Sequence, residues 1–223
     1  MNNSVTNTAR LLWAGLRALL VLTVVTGVIY PLAVTGVAQA LFNDKANGSE
    51  ITADGEVVGS SLIGQSYNLP LKKGQETPDA DLKWFQGRPA NGLGSNSVNA
   101  QYSLLLSGAT NLAADSKVLV QQVRDAKAAV VKDNSTAGYK VDASEVPADA
   151  VTSSASGLDP DISPEYADIQ VHRIAEENGL SVAQVAKLVE DHTDGRTLGF
   201  IGEPRVNVLE LNIALKDLVA KKS

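Results

Sequence analysis

Any chemistry in this 223-residue chain must come from a short set of side chains. Its two histidines, His172 and His192, could ligate a metal or carry protons. The tract SSASGLD sets Ser154 and Ser156 close to Asp159, the raw material of a nucleophile and its partner. Near the C-terminus, GEPRVNVLELN (202–212) places Glu203 and Arg205 on either side of Pro204. Each set lacks what its chemistry requires. The histidines fall on different expected helices, with no His-Glu-x-x-His and no carboxylate at ligand spacing, so they read as helix-surface residues or satisfied partners. The serines lack the Gly-x-Ser-x-Gly elbow that exposes a nucleophile on a strained turn. Gly157 and Asp159-Pro160 beside them read as a turn. There is no Gly-Lys dipeptide, hence no phosphate-cradling loop of the Walker type. There is no cysteine, so disulfides and thiolate-bound zinc are excluded. The chain reads as non-catalytic. Glu203 and Arg205 remain as a pair for docking or for an internal salt bridge.

The elements that must position these residues begin with a membrane span. From Ala18 through Asn43 no acidic or basic residue occurs, a run of 26. About 20 suffice to cross a bilayer core. A cleaved signal peptide is the alternative, since Ala38-Gln39-Ala40 has the small-x-small form of a cleavage site. Signal cores run only about 7–15 residues, however, which favours a retained anchor. Arg10 and Arg17 precede the charge-free run, and Asp44, Glu50, Asp54 and Glu56 outnumber Lys45 after it. The positive-inside rule then puts residues 1–10 in the cytoplasm, the transmembrane helix at 11–42 and the rest outside a cell (inner) membrane, in the periplasm where there is one. Gly27, Pro31, Gly36 and Ala40 interrupt the span with small or kinking residues, candidates for packing against a partner helix.

Beyond the span, 17 basic and 25 acidic residues make the remainder acidic, which argues against nucleic acid as a partner. A β/loop-rich part with one long helix is expected at 43–157, and a helical part of the same domain at 158–223. The fold class is thus one N-terminal transmembrane helix followed by an α+β extracytoplasmic domain with a helical C-terminal part. Within it, 44–96 reads as strands and loops, and 97–132 as helix bent near Gly108, with Leu104, Leu105, Leu112, Val118, Leu119, Val123 and Val130 as its apolar positions. One short strand is expected in KVDASEVPADAV (140–151). Ser163-Pro164-Glu165 should open a helix that stops at Gly179. Ser181 with Gln184 forms a capping box for the next. Asn207 with Glu210 should cap the last helix in the same manner, with Val208, Leu211, Leu215 and Leu218 as its buried stripe.

The helix, Gly turn and helix over 166–192 has the outline of a helix-turn-helix. A DNA reader needs positive charge there. Residues 164–195 carry two basic residues against seven acidic ones, so this is a helical hairpin without DNA.

Three segments carry a family resemblance: WFQGRPA (84–90), VPADAVTSSASGLDPDISPEYADIQVHRIA (146–175) and HTDGRTLGFIGEPRVNVLELNIAL (192–215). Together they resemble the C subunits (KdpC) of the bacterial Kdp potassium-transporting P-type ATPase, over essentially the whole chain. The sequence departs from that family's usual pattern at Asp161, commonly His, at His172, commonly Pro, and at 113–117. The resemblance implies an accessory subunit of an ATP-driven high-affinity potassium uptake pump. Its expected partners are a channel-like A subunit, a P-type B subunit and a small F peptide, besides membrane lipid. ATP and potassium would act at those partners, and no cofactor is expected on this chain. Neither an Asp-Lys-Thr-Gly-Thr phosphorylation signature nor a Thr-Val-Gly-Tyr-Gly filter occurs in it. The family's C subunit has been proposed as a catalytic chaperone for nucleotide binding; an extracytoplasmic domain would have to act indirectly. Trp84, Arg88, Asp159, Arg196, Glu203, Arg205, Asn207 and Glu210 are the candidate interface or structural residues. The alternative function is a free-standing anchored extracytoplasmic domain that binds a ligand or the cell wall.

Overall fold

A computed structural model describes residues 3–75, 77–91, 93–95 and 105–222. They divide into two compact units, Met1–Glu50 and Ile51–Ser223.

The first unit is a long apolar helix in two runs, α1 (Asn3–Val24) and α2 (Tyr30–Leu41), joined by the π-helical turn Val25–Ile29. Residues Ser4–Leu41 are long and apolar enough to cross a membrane. The π turn has a local cause. Pro31 has no N–H and its ring crowds the carbonyl four residues back, and the Tyr30 N–H reaches the Val25 carbonyl, five residues back, instead. One turn before, the Thr26 hydroxyl donates to the Leu22 carbonyl at 2.7 Å, a bond that also tends to bend helices. Past the apolar stretch, Asn43 and Asn47 donate their side-chain amides to Gln39 Oε1, and Gln39 Nε2 donates back to Asn47. This polar knot spans the short α3 (Asn43–Ala46).

The second unit opens with a hairpin, β1 (Glu50–Ala53) and β2 (Glu56–Ser60). Asp54 and Gly55 both have positive φ at its tip, as a two-residue type I′ turn demands. The described residues between 61 and 93 form no named helix or strand. Strands β3 (Gly94–Ser95) and β4 (Leu105–Leu106) then pair antiparallel. Four helices follow: α4 (Lys117–Asn134), α5 (Pro164–Glu177), α6 (Val182–Asp191) and α7 (Val208–Ala220). A three-stranded antiparallel sheet, ordered β5 (Asp161–Ile162), β7 (Arg205–Asn207), β6 (Thr193–Asp194), ties the starts of α5 and α7 to the end of α6. The core lies among α4 to α7 and this sheet. Ile174, Val185, Val206 and Leu211 are fully buried, as is Phe85 from the irregular segment.

Helix signals in the C-terminal third match the structure. Ser163 caps α5 with Pro164 in its first turn, and the Ser181–Gln184 box forms in both directions. At α7 only half a box forms: Asn207 Oδ1 accepts from the Glu210 N–H at 3.2 Å, and Glu210 returns no bond.

Two expectations are corrected. The helix expected over 97–132 starts only at Lys117 and runs on to Asn134. Leu105 belongs to strand β4, Leu112 lies in a loop, and Leu104 falls outside the described residues. No strand forms over 140–151. There Asp142 Oδ1 accepts from both the N–H and the hydroxyl of Ser144, a local turn, and a 3-10 turn follows at Ala148–Ala150. The apolar alternation came from Val141, Ala150 and Val151, which are single loop anchors dropped into the core.

Candidate functional site

The WFQGRPA segment contributes a fully buried phenylalanine from backbone that is neither helix nor strand. Its peptide groups therefore need partners other than a sheet. Side chains supply them. Asn212 of α7 accepts from the Phe85 N–H and donates to the Phe85 carbonyl, both at 2.9 Å. Gln170 of α5 does the same for Gln86, at 2.7 and 3.0 Å. Each amide imitates the edge of a neighbouring strand. Arg173, two turns after Tyr166 on α5, donates to the carbonyls of Leu82 and Trp84, and Asn178 donates to that of Lys83 at 2.9 Å. The loop 82–86 is thus clamped along its whole length. Trp84 packs its ring on Tyr67, with centroids 5.8 Å apart.

Arg173 is itself buried, at 3% exposure. Its Nε donates to Asn134 Oδ1 at 2.8 Å and Nη2 to Gln170 Oε1 at 2.7 Å. All its partners are neutral oxygens. Desolvation is the main reason its pKa falls to about 10, still well above neutrality, so it stays charged.

Arg88 and Asp159, 71 positions apart, meet in an ion pair of 2.8 Å with both side chains half-buried. Arg88 also reaches the Thr152 carbonyl. The turn holding Asp159 is built by the serines considered above as nucleophiles: Ser154 Oγ accepts from the Gly157 N–H and Ser156 Oγ from the Leu158 N–H. The Gly64 N–H donates to Leu158, and a Cβ on Gly64 would fall on the Asp159 carbonyl. Only glycine lets these strands of chain approach so closely.

The Glu203–Arg205 pair does not form. Glu203 bonds Arg196 across the β6–β7 connection at 2.6 Å, an exposed contact. Arg205, the first residue of β7, faces Asp161 at 3.2 Å and Asp194 at 3.5 Å. Asp161 nevertheless has a raised pKa, because burial outweighs the Arg205 charge and Asp159 and Asp194 repel it further. Arg205 is half exposed and shared with Asp194, so its attraction is screened. Asn207 spends its amide N–H on the Ser61 carbonyl at 2.9 Å. Both histidines have structural partners: His172 stacks on Tyr139 with centroids 3.9 Å apart, and His192 Nδ1 bonds the Leu188 carbonyl.

In the apolar helix the four small or kinking residues do not share one face. Gly27 with Pro31, and Gly36 with Ala40, are each four apart, but the five-residue step between the pairs rotates the helix by about 140° beyond a full turn. Beyond the chain neighbours and the helix's own nearby backbone, no atom stands within 4 Å of where a Cβ on Gly27 or Gly36 would be.

Sequence reasoning named Trp84, Arg88 and Asp159 but missed Tyr166, Gln170, Arg173 and Asn212. The signal was available for the first three, which recur at i, i+4 and i+7 on a face that also buries Ile169 and Ile174. Polar groups on an apolar face must find buried partners.

Comparison with known proteins gives one answer. The family model described as "KdpC: K+-transporting ATPase, c chain" matches residues 12–217. The "Potassium-transporting ATPase KdpC subunit" of Streptomyces avermitilis is 83% identical over 220 residues, covering 99% of each chain. That of Streptomyces coelicolor is 73% identical over 220 residues, 99% of this chain and 98% of the relative. That of Bradyrhizobium diazoefficiens is 44% identical over 209 residues, 91% of this chain and 94% of the relative.

Proposed function

The chain belongs to the KdpC family, the c chains of K+-transporting ATPases, and from that premise we propose that it is the membrane-anchored accessory subunit of an ATP-driven potassium uptake pump, not catalytic by itself. The family match over nearly the whole chain carries this reading. Its work is to hold the complex together. The helix Ser4–Leu41 packs against helices of the channel-like A subunit, the P-type B subunit or the small F peptide. The second unit lies outside the membrane and caps the outer face of the A subunit. Arg10 and Arg17 before the charge-free run at 18–43 and the acidic residues after it support this orientation. ATP and potassium act at the partner subunits, so any effect on nucleotide affinity passes through contacts with them rather than through a nucleotide on this chain.

The Arg88–Asp159 pair and the clamped Trp84 loop serve the domain's own architecture. Exposed Arg196, Glu203 and Glu210 remain for contact with a partner. Co-purification in mild detergent checks this proposal: a tagged copy should bring down subunits of pump size. A tagged chain recovered alone and monomeric from cells that make the other subunits would overturn it. A C-terminal reporter active only in the cytoplasm would overturn the orientation while leaving the subunit assignment intact.

A further inference from the structure

The connection between β6 and β7 ends in a tight turn at 197–200. Thr197 and Ile201 exchange both backbone bonds, N–H to carbonyl at 2.9 and 3.0 Å, and the Phe200 N–H closes the turn on the Thr197 carbonyl. Leu198 and Gly199 at its centre both have positive φ. The tip of the β1–β2 hairpin has the same pattern at Asp54 and Gly55, and aspartate is among the residues that tolerate it. Leucine is not, because its Cβ crowds the backbone there and a bulky side chain is strained. Packing does not compensate. Leu198 is 80% exposed and Phe200 73%, the highest values for large apolar side chains in the second unit among the described residues, and Ile201 is exposed beside them. Single exposed apolar residues are ordinary. Three within four positions, on a turn that is strained to present one of them, form an apolar tip that folding does not explain.

The neck below the tip indicates the occupant. Arg196 bonds Glu203 at 2.6 Å and Arg205 reaches Asp194 at 3.5 Å, so the four charges of the neck cancel in pairs. Residues 197–202 carry no charge. A loop that dips into a bilayer is ordinarily helped by unpaired basic residues that meet anionic headgroups. Both arginines here are already paired. An apolar anchor ringed by paired polar groups is instead the build of a protein–protein hot spot. Three side chains cover far less than the roughly 1,200 Å2 of a stable interface. The tip is therefore suited to a second contact with a partner already held elsewhere on the chain, where a raised effective concentration makes a small contact count. We propose that Leu198, Phe200 and Ile201 plug an apolar pocket on the outer face of the same pump subunit that packs against the helix Ser4–Leu41. This rests on the subunit reading above and names the contact through which the second unit docks.

The chain has no cysteine, so Leu198→Cys carries a single thiol. Its labelling by a water-soluble maleimide is followed for the full chain alone in mild detergent, alone in liposomes, and co-purified with the pump subunits. Fast labelling is expected in the first two and several-fold slower labelling in the third, where the partner blocks access. Phe200→Ser should lower recovery of pump subunits by about tenfold, the worth of one buried aromatic anchor. Without partners it should melt with the parent, and Leu198→Asn should melt no lower, since asparagine tolerates the positive φ. A lower melting temperature in either variant would mean that the tip packs within the chain. Slow labelling in liposomes alone would assign it to lipid, and slow labelling of the concentrated chain alone to a second copy. Each of these results overturns the proposal, as does undiminished recovery with Phe200→Ser. If the parent chain itself recovers no pump subunit, the subunit reading falls and this contact with it.

Discussion

At the scale of single residues, buried amides do more here than buried charges. Phe85 is fully buried and both its peptide groups depend on Asn212. Asn212→Ala strands a donor and an acceptor together, so thermal or urea unfolding should show a loss of about 2–4 kcal/mol. Charges behave less uniformly. Asp159→Asn keeps the oxygen that accepts from the Asp161 N–H but removes the charge facing Arg88, and should cost about 1–2 kcal/mol at neutral pH, between the exposed and buried limits for ion pairs. Asp161→Asn should do the opposite. Its folded pKa lies above its unfolded value, so the protonated form stabilises the fold, and that contribution is lost as pH rises through the folded pKa. At pH 7 the Asn variant should therefore be as stable as the parent or more so, and the gain should vanish below about pH 4. Unfolding midpoints of both variants across that range check the pair of predictions. Arg88 and Asp159 could be singled out in the sequence as residue types. Their meeting could not, because 71 positions separate them.

At the scale of elements, legibility followed the length over which a signal repeats. Helices α5 to α7 were readable because caps and apolar stripes agree over most of three turns or more. The sheet β5–β7–β6 was not, because strands of two or three residues leave no alternation to detect. Helix α4 was placed, but its start was set some 20 residues early by leucines belonging to a strand and a loop. The apolar helix could be read for its length and not for its faces. Since Gly27–Pro31 and Gly36–Ala40 point to different sides, the proposed partner helix would lie along one pair. Gly36→Leu and Ala40→Leu together should reduce recovery of pump subunits several-fold in detergent, while the same load on the opposite face, at Gly27, should not. Equal loss from both faces would mean two neighbours rather than one.

At the scale of the whole molecule, the anchor and the extramembrane unit were distinguishable from the sequence by hydropathy alone, and the family by three motifs. What held one of those motifs in place was invisible until the fold was known: WFQGRPA is named by its residues but shaped by others in α5 and α7. Phe85 and Asn212 are 127 positions apart. A chain made at about 5–20 residues per second exposes the loop roughly six to twenty-five seconds before its last partner exists. During that interval residues 82–86 have open peptide groups and an unburied aromatic pair, the features that chaperones and proteases detect. The domain therefore closes at the end of synthesis, when α7 arrives. An unfinished copy that lacks α7 has no Asn212 to close the two Phe85 peptide groups.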